Sequence, residues 1–170
     1  SKESMVRRLN FCEWTGAESP WISADIWKDA RKDFDWRELR GRRAYGGLDL
    51  GSTTDLTGLV FFVEPVLDGE PWLCVPFAWL PEEGLQRRAD QDKVPYVVWK
   101  TQGYLETTPG KAVSKLMVAQ RLSALCEFFD VVCVAYDRWR FDDFMTMASD
   151  AGITLPEIKP FGQGYKDMSP

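Results

Sequence analysis

Residues Val113–Asp137 read V-S-K-L-M-V-A-Q-R-L-S-A-L-C-E-F-F-D-V-V-C-V-A-Y-D, and they decide the fold. In the first part, Val113–Phe129, the residues Val113, Leu116, Met117, Gln120, Leu125 and Phe128 recur at helical spacing, and further apolar residues widen the stripe. This predicts a helix whose stripe faces a core. It leads directly into Val131–Tyr136, a continuous apolar run. Such runs belong to strands buried on both faces, paired in parallel with helices above and below. Asp137 ends the run.

Upstream, the pattern is antiparallel. Tyr45–Thr57 reads Y-G-G-L-D-L-G-S-T-T-D-L-T. Ala44–Leu50 predicts a first strand with Asp49 set among apolar residues, followed by a Gly-Ser-Thr-Thr turn whose hydroxyls can bond nearby amides. Asp55 stands just before the second strand, Thr57–Val63. Asp68-Gly69 makes a turn, and Trp72–Trp79 is a third strand, so the three form a meander. Pro81-Glu82-Glu83 opens a helix carrying Arg87, Arg88 and Asp90, and Pro95–Gln102 is another, stopped by Gly103. Leu105–Thr108 is a brief extended piece, Phe141–Ala151 a helix stopped at Gly152, and Glu157–Phe161 a last strand. The fold class is therefore α/β: a mixed sheet of about five strands, three antiparallel and then parallel, flanked by helices.

A right-handed crossover through Val113–Phe129 lays Val131–Tyr136 parallel to the first strand. Asp137 then sits beside Asp49, and both carboxylates face one solvent-open groove. An ionised Asp in a strand needs a partner, and a metal ion is one; the turn amides are another. Paired carboxylates on adjacent strands suit two-metal phosphodiester hydrolysis, in which ions about 4 Å apart activate water and stabilise the leaving oxygen.

Composition narrows the chemistry further. The chain has 170 residues, one domain's worth, and no histidine. That removes Ser-His-Asp triads, Cys-His pairs and His-based zinc sites together. Catalysis would then run on carboxylates, lysine, tyrosine or a metal held by oxygen, and oxygen ligands select hard cations such as Mg²⁺ or Mn²⁺. The four cysteines, Cys12, Cys74, Cys126 and Cys133, form no CxxC pair and read as buried thiols. A net charge of −5 argues against gripping nucleic acid over the whole surface, though not against a local basic rim. No apolar run reaches the length of a membrane span. Residues 1–43 look unlike the rest: a linker with a short helix capped by Ser23, carrying Ile26, Trp27 and Ala30 and docking through its tryptophans.

Five co-linear stretches carry a resemblance: G-L-D-L-G-S-T-T-D-L-T, F-A-W-L-P-E-E, D-K-V-P-Y-V-V-W-K-T-Q-G-Y-L-E-T-T-P-G, V-A-Y-D-R-W and P-F-G-Q-G-Y-K-D-M-S-P. Together, from about Leu9 to Pro170, the chain resembles the nuclease half of the large terminase subunit of tailed bacteriophages. The resemblance implies a ribonuclease-H-like nuclease domain over 44–170, with 1–43 the tail of a preceding ATPase region. It implies a Mg²⁺- or Mn²⁺-dependent endonuclease that cuts concatemeric double-stranded viral DNA in the bacterial host cytoplasm. The partners it implies are the small terminase subunit, the portal protein and the motor's own ATPase domain. Asp49 matches the family's first metal-binding acid and Asp137 the second. The third lies beyond the Gly-Gln-Gly segment, in a stretch absent here, so the nuclease domain is expected to be C-terminally incomplete. Asp55, which recurs in the first motif, is assigned a weak metal-facing role, against simple turn capping. Arg138, Arg140 and Lys166 are candidate DNA contacts, against ordinary solvated positions. Trp99, Trp139 and Tyr104 are expected to pack.

Two other readings remain. L-D-L-G-S-T also resembles the first phosphate loop of actin-like ATPases and sugar kinases, where it would cradle nucleotide phosphates and Mg²⁺. Those proteins need a second glycine-rich loop, normally on a duplicated domain, whereas here the second acid sits in Y-D-R-W with no glycine after it and the chain is too short for the duplicate. The other is a catalytically inactive terminase fragment that keeps the fold.

Overall fold

A computed structural model describes residues 22–51, 55–137 and 141–162. It divides into two compact units, Ser1–Asp35 and Trp36–Pro170. In the first, helix α1 (Ala24–Asp29) is capped as its sequence dictates: the Ile26 N–H donates to Ser23 Oγ at 3.3 Å. Its Ile26 and Trp27 side chains are exposed, and Trp14 and Trp21 lie outside the described residues.

The second unit runs from a 3₁₀ turn (Trp36–Leu39) through β1 (Arg43–Asp49), β2 (Thr57–Val63), β3 (Leu73–Pro81), α2 (Leu85–Asp92), α3 (Tyr96–Thr101) and β4 (Glu106–Thr108). It continues with α4 (Lys115–Phe128), β5 (Asp130–Asp137), α5 (Phe141–Asp150) and β6 (Ile158–Phe161). The sheet order is β4-β3-β2-β1-β5-β6. The β1–β2 and β2–β3 pairs are antiparallel; β1–β5, β3–β4 and β5–β6 are parallel. The meander and the parallel return of β5 against β1 are as the sequence indicates. The sheet has six strands because the brief Leu105–Thr108 piece adds to the β3 edge.

Alternation sorts the strands into two faces. Ala44 and Leu48, Leu59, Phe61 and Val63, Val75, Phe77 and Trp79, and Val134 are buried with Val118, Ala119, Leu122 and Leu125 of α4 and Phe144 and Ala148 of α5. Fully burying each large member contributes about 1.5–3 kcal/mol. The other face stays open among the described residues: Phe62 is 50 % exposed, Cys74 is exposed, and Cys133 and Ala135 are only half-buried. β5 is therefore not buried on both faces, although its run of apolar residues suggested it. The α4 stripe also differs from expectation. Leu116, Met117 and Gln120 are exposed, and the buried line runs Val118-Leu122-Leu125. A helix apolar around most of its circumference does not declare from sequence which side meets the sheet. β3 continues through Pro81, and α2 begins only at Leu85, after Gly84 breaks the chain at φ +80°.

The edge strand β4 is only three residues long and is anchored through Glu106. That carboxylate accepts from Trp79 Nε1 at 2.8 Å and pairs with Arg121 of α4 at 3.2 Å. The Arg121 guanidinium lies over the rings of Phe77 (5.4 Å) and Trp36 (5.9 Å). Trp36 packs edge-on against Phe77 at 5.4 Å and Phe128 at 5.2 Å, so here a tryptophan of the polar N-terminal stretch does dock. Trp99 meets Tyr96 edge-on at 5.7 Å, Tyr104 is exposed instead of packed, and Trp139 lies outside the described residues.

Gly46 lies on the buried face, where an added Cβ would stand 2.9 Å from Val134 Cγ2 and 3.1 Å from Phe61. Its neighbour Gly47 faces open space. Gly46→Ala is expected to cost about 1–3 kcal/mol through overpacking. Gly47→Ala is expected to be neutral or stabilising by about 0.4–1 kcal/mol. Urea unfolding of the two variants checks the pair, and equal effects would refute the face assignment. The thiols give a second check. Burial pushes the Cys126 thiol up to about 12; it raises Cys74 as well, but Cys74 is exposed on the open face, within reach of a reagent. Only the thiolate reacts, so at pH 8 iodoacetamide should label Cys74 and spare Cys126; mass mapping of the labelled chain reads this directly.

Candidate active site

The strand directions bring several chain ends to one rim. β1, β3, β4, β5 and β6 all finish there, and β2 begins there. In β1–β5 pairing Tyr45 faces Cys133, Gly47 lies opposite Ala135, and Leu48 faces Tyr136. The next step along both strands is Asp49 and Asp137. Residues directly opposite in a sheet share a face. Asp49 and Asp137 therefore share the open face with Gly47 and Ala135, on strands about 4.8 Å apart. Asp49 is also opposite Gly58 of β2, and Asp137 opposite Phe161 of β6.

A cavity of about 270 Å³ lies over this corner, lined by Gly47, Asp49, Gly58, Val60, Ala135 and Asp137, with Leu48, Tyr136 and Phe161 completing it. Its floor is low because Gly47 and Gly58 carry no side chain. Asp49 is exposed and Asp137 half-buried. Like charges on adjacent strands are unfavourable without a counter-charge, so the pair is suited to a cation held by oxygen. Among the described residues no group of three His, Cys, Asp or Glu side chains comes together as a metal site.

Of the expected Gly-Ser-Thr-Thr turn, Ser52, Thr53 and Thr54 lie outside the described residues, and Gly51 is tied down by a bond to β2. Thr57 is fully buried, and its Oγ1 accepts from the Gly51 N–H at 3.1 Å. Gly51 is compelled by packing: a Cβ there would sit 2.5 Å from the Asp55 carbonyl oxygen. Asp55 itself is exposed on this loop and does not line the cavity. After β5, Tyr136 stacks on Phe141 at a centroid distance of 3.5 Å, which fixes the start of α5 against the end of the strand. Arg138, Arg140 and Lys166 lie outside the described residues. The roles of Thr57, Tyr136, Phe161 and the two floor glycines were not read from sequence. A Gly in each of two neighbouring strands was the available signal, since glycine in a strand interior marks close approach.

Known proteins share this architecture. Residues 2–170 match the family model for the terminase large subunit, endonuclease domain. The chain is 38 % identical over 177 residues to the large terminase subunit of Enterobacteria phage HK97, a match covering 100 % of this chain and 32 % of that protein. The crystal structure of the HK97 bacteriophage large terminase superposes with a TM-score of 0.72 at 38 % identity, covering 99 % of this chain and 34 % of that one. The chain thus spans about a third of the length of its HK97 relative. The sheet is of the mixed, helix-flanked kind consistent with a ribonuclease-H-like fold. On sequence and structure alike, the chain belongs to the terminase large subunit endonuclease domain family.

Proposed function

We propose that this chain is a metal-dependent endonuclease that cuts double-stranded concatemeric viral DNA during genome packaging. The observation that carries the reading is the juxtaposition of Asp49 and Asp137 at neighbouring strand ends over an open cavity. Both are hard oxygen donors, and no histidine competes. The donor set fits Mg²⁺ or Mn²⁺, with Asp49 and Asp137 as ligands and Asp55 as a weaker, outer one. When bound, such ions supply an activated water and charge neutralisation at the leaving oxygen.

The protein's own contribution is positional. The β1–β5 pairing holds the two carboxylates side by side, and the Thr57–Gly51 bond fixes the backbone two residues after Asp49. The floor of Gly47 and Gly58 leaves room for a sugar–phosphate backbone to approach. Arg138, Arg140 and Lys166 are proposed to contact phosphates, which position the duplex without reading its sequence. Residues 44–170 act as the nuclease, and 1–43 join it to an ATPase region in the full-length motor. The partners would be that ATPase domain, the small terminase subunit and the portal, in the host cytoplasm. No helix among the described residues is long and apolar enough to cross a membrane. A second reading, a chain that keeps the fold without cutting, is favoured by one fact: only two acids line the cavity among the described residues.

Supercoiled-plasmid nicking in Mn²⁺ separates the two. The parent chain is expected to nick, and chelation with EDTA to stop it. Asp49→Asn and Asp137→Asn should each lose about 100-fold or more, the scale of removing one charge-stabilising group. Asp55→Asn should lose less, about tenfold, the low end for an outer ligand. Indistinguishable nicking by the parent and both Asn variants would sink the assignment.

A further inference from the structure

A second polar cleft opens at the same rim, on the far side of β3. It encloses about 610 Å³ and is lined by Glu83, Gly84, Arg87, Arg88, Asp92 and Lys111, with Gln91. We infer that this cleft binds the phosphodiester backbone of the DNA duplex away from the cut, through Arg87 and Lys111. The inference rests on the endonuclease reading above and adds a separate contact site to it.

Placement comes from the sheet. The Glu82 N–H donates to the Thr108 carbonyl at 2.8 Å and the Glu83 N–H to that of Gly110 at 3.2 Å. These bonds continue the β3–β4 pairing past the strand ends, so Glu83 and Lys111 stand just beyond the rim where Asp49 and Asp137 lie. β4 is three strands from β1, about 14 Å at the usual spacing. One DNA strand advances about 3.4 Å per nucleotide. A duplex lying with its axis along the rim would therefore present the cleft with phosphates roughly four base pairs from Asp49 and Asp137.

Charge points to an anion. The chain carries a formal −5, so attraction to a polyanion has to be local. The cleft sets three cations against two carboxylates. Lys111 pairs with Glu83 only at 3.7 Å, with side chains 85 % and 58 % exposed, a pairing that a phosphate can displace. Arg87 has no carboxylate partner among the described residues. Its guanidinium folds back over Gly84, with Nη2 3.6 Å from where a Cβ would stand. That is ordinary contact distance, and glycine is favoured there by its φ of +80°. A planar guanidinium beside a mobile ammonium is a combination suited to phosphate oxygens.

Fluorescence anisotropy with a labelled random-sequence duplex, in EDTA so that cutting does not intervene, tests the site across a salt series. Arg87→Ala/Lys111→Ala should bind about five- to tenfold more weakly at low salt and flatten the log–log salt slope by about 2, one unit for each phosphate no longer neutralised. Arg43→Ala, at the opposite end of the sheet, should leave the slope unchanged. Both altered side chains of the double variant are exposed, and thermal melts matching the parent confirm that folding is retained. An unchanged slope in the double variant, or an equal loss in Arg43→Ala, overturns the cleft while the nicking results stand. A parent chain that nicks nothing and binds no duplex overturns the endonuclease reading and the cleft together.

Discussion

Everything at the candidate site depends on one irregularity in one strand pair. β1 and β5 run parallel with Ala44 opposite Val131, but Tyr45 then pairs with Cys133, so Val132 is skipped. Because side chains alternate with a period of two, a one-residue shift moves every side chain to the other face. Without the skip, Asp49 would stand opposite Tyr136, and Asp137 would not share its face. The extra residue lies near the start of both strands, distant from the carboxylates, yet it sets which residues meet at the end. Bulges that re-aim side chains beside functional sites are a recurrent use of this geometry.

The register is kept by close packing on the buried face. Gly46 is the point of closest approach: Val134 Cγ2 fills the space that a side chain on β1 would occupy, and Phe61 closes it from β2. A slip of β5 would drive the Val134 isopropyl group into the β1 side chains. On the opposite face no comparable close packing occurs among the described residues, and small residues leave the corner over Asp49 and Asp137 open. That asymmetry explains how a like-charged pair is tolerated. The cost of adjacent carboxylates is moderated by water on the open face and offset by the dense core behind it.

The division between near and far interactions also explains what the chain discloses in its sequence. The meander is legible because each of its strands alternates or is rich in β-branched and aromatic residues, with turns marked by Asp68-Gly69 and Gly51. The parallel return of β5 is legible because V-V-C-V-A-Y follows a helix of sufficient length to cross the sheet. Asp49 and Asp137 stand out as acids at the ends of apolar runs. The skip at Val132 leaves no local trace, since an apolar run looks the same in either register. β4 is three residues of Glu and Thr, held by Arg121 and Trp79 from distant parts of the chain, and no short-range pattern encodes such a bond. The α4 face is hidden for the converse reason: apolar residues surround most of the helix, and only the sheet selects among them. Cys74 sits in a strand where alternation assigns it to the open face, so its apolar neighbours mislead.

Electrostatics then constrains how a site of this kind can meet its proposed substrate. Two carboxylates on an acidic chain repel a phosphodiester, so the residues proposed to hold the metal cannot supply DNA affinity of their own. Affinity then comes from cations: the metal the acids would hold, and basic side chains close enough for one duplex to touch both. A sheet whose strands end together offers such an arrangement: the rim is a line, and loops beyond different strand ends sit at fixed intervals along it. Asp49 and Asp137 occupy the β1–β5 part of that line, and the helix after β3 and the loop after β4 carry Arg87 and Lys111 further along it. Spacing by strand number, at about 4.8 Å per strand, converts a rigid sheet into a ruler for the backbone lying across it. The same rigidity that aligns the two acids would then hold the duplex over them.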